Sequence, residues 1–290
     1  MKKIITIILI ILEVFIIIYS KEVISEFKNT LRICLYSLLP TMFFSILLSN
    51  LIIENGLYLP KIIYKLINRI FNLNKEEINV LFLSMISGYP NNITMLKESN
   101  NENINYITNF VNPLFLIGTV GTIYLNNKPF SFLILICHYI SNFILMFLLK
   151  SKNTKNNYKT IKKNNNIYSN SIQITIKALS IIISNLLFIS LLVTLLKLVL
   201  PFSKETNSII LGLLEFSKGI YEVSNTNFSL FIKGLIILII ITFGSISIHF
   251  QMISINPKIK YINFLKYRII NVLISIIVYF IINGLILIKN

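Results

Sequence analysis

An apolar run over residues 80–86 stops at Ser87, Gly88, Tyr89 and Pro90, and two amides, Asn91 and Asn92, follow. Helical backbone that breaks off inside an apolar segment leaves N–H and C=O groups free. Lipid cannot satisfy them, so such a break survives only where protein or a water-filled cavity does. A second interrupted segment spans 209–223 and carries Glu215 within Gly212-Leu213-Leu214-Glu215. It occupies the corresponding place in the other half of the chain. Paired, Gly- or Pro-interrupted apolar segments in matching halves are the sequence mark of a transporter's binding region.

The rest of the sequence supplies the membrane. Of its 290 residues, 55% are hydrophobic, and the mean hydropathy is +0.76. Several apolar stretches approach or exceed the roughly 20 residues that cross a bilayer as helix. The formal charge of +16 comes without a single aspartate. Its lysines fall mainly in the connections, as the positive-inside rule requires, so a nucleic-acid partner is rejected. Cys34 and Cys137 lie in apolar segments and read as small buried hydrophobes. No metal-ligand spacing, nucleophile–base pattern or phosphate loop occurs, so no enzyme, catalytic residue, metal or cofactor is expected.

Charge bias sets a topology. Residues 150–170 hold Lys150, Lys152, Lys155, Lys159, Lys162 and Lys163 and no acid; this is a basic cytoplasmic linker. Walking outward from it, 130–149 and 107–125 cross, 79–96 dips in from the inside and returns, and 31–53 crosses. Residues 4–19 cross first, after Lys2 and Lys3, which places the N-terminus in the cytoplasm. A cleaved signal peptide is the alternative, but Tyr19-Ser20-Lys21-Glu22 makes a poor cleavage site. In the second half 172–200 cross, 209–223 dip in from the outside, and 231–255 return to Lys258, Lys260, Lys266 and Arg268. Residues 269–288 cross last. The expectation is an all-α polytopic membrane protein of about seven full crossings. It divides into an N-terminal helix (1–28), a first repeat (29–149), the linker (150–170) and a second, inverted repeat (171–290). After Pro60, the sets Lys61, Lys65, Arg69 and Ile62, Leu66, Ile70 each recur every fourth residue, so 60–72 should form an amphipathic helix lying in the headgroup plane.

Several residues carry candidate chemistry. Glu215, at membrane depth, must face a cavity, pair or be protonated, which suits coupling to a proton or Na⁺. Lys218 stands three residues on, within reach of a purely structural pair. Gly244 and Ser245 suggest a close contact or an unwound patch, with His249 and Gln251 beyond as donors to a polar ligand. His138 is a weaker candidate of the same kind. Asn112 and Pro113 begin the next segment as cap and first turn, and a helix N-terminus there would favour an anion. Ser87, Gly88, Tyr89, Pro90, Asn91 and Asn92 at the break would add hydrogen bonds and, through Tyr89, a ring. Tyr89 reads equally well as an interfacial anchor.

These pieces form an ordered set. Ser87-Gly88-Tyr89-Pro90, Asn112-Pro113-Leu114-Phe115-Leu116-Ile117-Gly118-Thr119-Val120-Gly121 and His138-Tyr139-Ile140-Ser141 resemble the sporulation integral membrane protein family of YlbJ type. So do Gly212-Leu213-Leu214-Glu215, Phe243-Gly244-Ser245-Ile246-Ser247-Ile248-His249-Phe250-Gln251 and Phe264-Leu265-Lys266-Tyr267-Arg268. The resemblance implies nucleoside-recognition gate domains, similar in fold to concentrative nucleoside transporters. It further implies movement of dipicolinate from the mother cell toward the forespore, across the mother-cell-derived outer forespore membrane. After Tyr-Pro the family has small residues where this chain has Asn91, Asn92 and Ile93. A nucleoside or cation carrier, and a non-transporting membrane protein needed for spore assembly, are the alternatives. The expected partners are the lipid bilayer and a small anion, and a homo-oligomer stays open.

Overall fold

The computed structural model describes residues 2–96, 102–150, 166–199 and 203–289. Residues 1, 97–101, 151–165 (most of the expected linker), 200–202 (with the end of the expected crossing at 172–200) and 290 lie outside the described residues. No strand occurs among those described, which are all-α. Among the described residues five helical segments are long and apolar enough to cross a membrane: Ser20–Asn55, Lys128–Leu148, Ile167–Leu198, Leu230–Ile255 and Tyr261–Ile286.

Helix α1 (Lys2–Ile18) is followed at once by α2 (Ser20–Ile33), the π-helical turn Cys34–Leu38 and α3 (Leu39–Asn55). The last three form one helix of 36 residues, about 54 Å long. The expected crossing at 31–53 is therefore only its apolar end, because α2 is polar and shows no apolar run. Pro40 sits in the first turn of α3, where its missing N–H costs little. Helix α4 (Lys61–Phe71) falls where the amphipathic pattern places it and ends on Asn72 in the left-handed conformation. Helix α5 (Lys75–Ser87) starts with a capping box, Asn74 against Glu77, which satisfies two of its free N-terminal donors.

Helix α6 (Asn91–Leu96) turns back against α5. Helix α7 (Glu102–Ile107), a non-helical stretch over 108–112 and the π-helix Leu114–Tyr124 then make one interrupted segment. This corrects the expected crossing at 107–125: its helical part past the break has 11 residues, too few to span a bilayer alone. Helix α1, at 17 residues, also falls short of the five long segments. Helix α8 (Lys128–Leu148) completes this half. The second half runs α9 (Ile167–Val199), α10 (Lys204–Leu214), α11 (Phe216–Ser224), α12 (Leu230–Phe243), α13 (Ser245–Ile255) and α14 (Tyr261–Lys289).

Two short helical pairs are the features that position the site. Helices α10 and α11 have 11 and 9 residues, about 16 and 14 Å, so neither arm crosses a core of roughly 30 Å. They fold back at Glu215. Gly212 and Gly219 meet so closely that a Cβ on Gly219 would lie 2.0 Å from the Cα of Gly212. The first pair, α5 and α6, opens toward the end of the bundle where Lys150 Nζ donates to Arg69 O at 3.4 Å and Asn170 Nδ2 to Glu54 Oε1 at 2.6 Å. The second pair opens toward the other end, where the rings of Tyr124 and Tyr221 lie 5.2 Å apart. Around them α3 packs along α9 and α8 along α14.

Candidate functional site

The tip of the first hairpin is closed by neutral groups. Gly88 has φ +73, and a Cβ there would fall 2.5 Å from the Asn112 nitrogen; only glycine lets the two backbones approach this far. Asn112 Nδ2 donates to Ser87 O at 3.1 Å, while its Oδ1 accepts from Phe115 N at 3.1 Å. Asn112 thus caps the π-helix that Pro113 begins and holds the hairpin tip with the same side chain. Tyr89 N donates to Phe110 O at 2.8 Å, and its hydroxyl reaches Ile241 O in the other half at 3.4 Å. The Tyr89–Pro90 peptide is cis. Asn91 accepts from Thr94 Oγ1, and Asn92 Nδ2 donates to Thr108 Oγ1 and Asn109 Oδ1 at 3.3 Å each.

The second tip is closed by ions. Glu215 is buried, and its carboxylate accepts from Ser217 N at 3.0 Å, Lys218 N at 2.6 Å and the Ser217 hydroxyl at 2.9 and 2.8 Å. It is the N-cap of α11. The Glu215–Lys218 side-chain pair allowed by the sequence does not form. The buried Lys218 ammonium pairs instead with Glu26 of α2, because the chain turns at Glu215 and aims the carboxylate down the axis of α11. Ser245, at φ +45 beside Gly244 at φ +88, donates its hydroxyl to Gly212 O. It does for the second hairpin what Asn112 does for the first. The two tips touch: the rings of Tyr89 and Phe216 are 5.8 Å apart, and those of Phe115 and Phe216 5.4 Å.

Between the two interrupted segments lies Arg268. The sequence groups it with Lys258, Lys260 and Lys266 in one basic cluster on the inner side, but the structure sets it apart from them: Arg268 is 1% exposed. Helix α14 starts at Tyr261, so Arg268 is two turns inside it, while Lys258, Lys260 and Lys266 stay exposed. Its guanidinium donates to Tyr106 O at 2.5 Å and Thr242 O at 3.4 Å, each one residue before the end of its helix, α7 and α12. Its Nε has no partner. Among the described residues no carboxylate pairs with it, the one ion pair being Lys218–Glu26.

His138 joins the same network. Val111 N donates to its Nε2 at 3.1 Å, so Nε2 is unprotonated and Nδ1 donates to Thr242 Oγ1 at 3.0 Å. Asn142 also faces Nε2, and Asn271 Nδ2 donates to Asn142 Oδ1 at 3.1 Å. His249 donates from Nε2 to Phe243 O at 3.0 Å and braces the Gly244 break. Gln251, fully buried, has neither end of its amide bonded. Asn91 Nδ2, Asn92 Oδ1, Ser247 Oγ and Asn271 Oδ1 are likewise buried without partners. Helix α6, carrying Asn91 and Asn92, packs on α13, carrying Ser247 and Gln251. Buried polar atoms left open in this way are costly unless water or a ligand completes them.

The predicted site residues therefore gather in two layers. Ser87, Gly88, Asn112, Pro113, Gly244, Ser245 and Glu215 hold the breaks in shape. Tyr89, Asn91, Asn92 and Gln251 carry the open groups or the ring at the tips, and His249 supports the break. Arg268, Thr242 and Asn271 were missed. The signal was present: Phe264, Arg268, Asn271, Ser275 and Tyr279 recur at helical spacing and are all buried, a polar stripe running down one face of an apolar helix. No protein-family model, curated protein or solved structure matches the chain.

Proposed function

We propose that this membrane protein is a carrier of a small organic anion. The observation that supports it is Arg268. A guanidinium kept out of water with only carbonyl partners is a large electrostatic debt, and in membrane proteins such groups sit where an ion or substrate passes. A carboxylate would take the planar guanidinium in bidentate fashion. The open amide donors of Asn91 and Gln251 offer contacts for a second polar group, and the rings of Tyr89, Phe115 and Phe216 offer a face for an aromatic ring. The helix N-termini are not the anion site: Glu215 and Asn112 already cap them.

The carrier reading takes the element order as an inverted repeat: long helix, hairpin, interrupted crossing, crossing, with the hairpins entering from opposite ends. The contacts of α3 with α9 and α8 with α14, each joining corresponding elements, support it. The resemblance to the YlbJ-type family makes dipicolinate, a ring with two carboxylates, the first substrate to test. It also gives the setting, the outer forespore membrane; the lysines at positions 2 and 3 put the N-terminus on the cytoplasmic side. A coupling proton or Na⁺ at Glu215 would have to compete with the donors that now hold its carboxylate.

The test is uptake of labelled dipicolinate into proteoliposomes under proton and sodium gradients. Saturable uptake is expected, with Arg268→Gln lowering it at least about tenfold, the value of one charged hydrogen bond of 1.4 kcal/mol or more. Arg268→Lys should retain part of it. Saturable uptake that Arg268→Gln leaves intact, in protein of unchanged melting temperature, would remove the guanidinium from recognition. Uptake of uridine but not of dipicolinate would favour the nucleoside alternative.

A further inference from the structure

Helix α4 presents three faces. Ile63, Tyr64, Ile67 and Phe71 are partly buried, the last three against the core that includes Leu73 and Ile78. Lys61, Lys65 and Arg69 form an exposed basic stripe. At about 100° per residue, Ile62, Leu66 and Ile70 follow directly beside it, and they are 78%, 56% and 37% exposed. On the other side of the basic stripe an open cavity of about 640 Å³ lies between α4 and the start of α5, lined among others by Tyr58, Lys61, Tyr64, Lys65, Asn68 and Lys75.

Three ammonium groups thus surround one concavity that no carboxylate lines among the described residues. The Lys75 ammonium stands 5.5 Å from the centroid of the Tyr58 ring and 5.4 Å from that of Tyr64. Tyrosine faces orient such a cation but do not neutralise it. Lys75 is also the first residue of α5, where the helix dipole disfavours positive charge. Glu76 and Glu77 share that first turn but do not line the cavity, and Glu77 accepts from the Asn74 N–H instead. An anion is the ligand that three such charges would recognise.

We infer that this groove binds the phosphodiester headgroup of an anionic membrane phospholipid, with Lys61, Lys65 and Lys75 around the phosphate and the acyl chains along the Ile62–Leu66–Ile70 ridge. The apolar ridge decides between a lipid and free phosphate. Inorganic phosphate would answer the charge and leave the ridge uncovered; a phospholipid answers both. The groove sits at the end of the bundle where Lys150 donates to Arg69 O, the end from which the lysine-rich segment departs. Basic pockets beside membrane helices on such a face are suited to anionic headgroups. The inference stands independently of any transported substrate.

The experiment is native mass spectrometry of the full chain in detergent with equal phosphatidylglycerol and phosphatidylcholine of matched acyl chains. Phosphatidylglycerol adducts should dominate. Lys61→Gln/Lys65→Gln/Lys75→Gln should bring the two lipids to near parity, and Lys75→Gln alone should cut the preference about fivefold, at about 1 kcal/mol per lysine. A control of equal charge, Lys258→Gln/Lys260→Gln/Lys266→Gln, should keep the preference. Parity in the unmodified protein, equal loss in both triple variants, or displacement of the lipid by millimolar inorganic phosphate would each overturn the assignment.

Discussion

The two hairpin tips meet the same demand by opposite means. At the first, a helix ends among neutral partners: the Gly88 backbone lies on Asn112, and one amide side chain serves two carbonyl and N–H groups. At the second, Glu215 caps the returning helix with its carboxyl group and Lys218 is held by Glu26 across to α2. The first tip therefore depends on fit to its neighbour in sequence, the second on charges drawn from its own turn and from a distant helix. Neutral closure is cheap to keep dry. Ionic closure is stiff when complete and costly when half removed, so the second tip carries the greater penalty for any single change.

The sharpest way to break the comparison is at the ion pair. Lys218→Met should destabilise the protein by about 3 kcal/mol, at the low end for a broken buried pair because Glu26 keeps some exposure. Glu26→Leu combined with Lys218→Met should recover most of that loss. Unfolding in mixed micelles across the double-mutant cycle measures it, and additive losses would mean the pair does not act as one unit. Next, Glu215→Ala strips two buried N–H groups of their acceptor and should cost about 2 kcal/mol. Glu215→Gln keeps one acceptor oxygen and should retain at least half of that stability in the same assay; equal losses would show that the charge alone matters. The smallest effect belongs to the neutral tip. Asn112→Ala should cost about 1 kcal/mol, in line with hydrogen bonds between membrane segments. A loss as large as that of Lys218→Met would erase the contrast.

Much of this was legible before any coordinates. The break at Ser87–Asn92 shows as an apolar run meeting Gly and Pro. Glu215 shows as an acid in an apolar, Gly-interrupted stretch. The four-residue spacing of Lys61, Lys65 and Arg69 outlines α4 to within a residue. What stayed hidden was continuity and depth. Residues 20–32 are helical although polar, because they extend a helix whose apolar part begins at Ile33, and composition shows only that part. Asn112 and Pro113 mark a helix start inside 107–125, but nothing in Thr108, Asn109 or Val111 forbids helix before it; the contacts of Phe110 and Asn112 with the first hairpin hold that stretch non-helical. Arg268 was grouped with its basic neighbours on the inner side, although its own helical face is lined with buried residues.

The seam between Gly212 and Gly219 has a mechanical consequence. With no side chain between them, the backbones of the two arms bear directly on one another, and any side chain at Gly219 would have to force them apart. A substitution there acts on Glu215, Phe216 and Ser217 at once, because all three lie on the turn that joins the arms. The shape of the charged tip is thus tied to two residues that carry no charge.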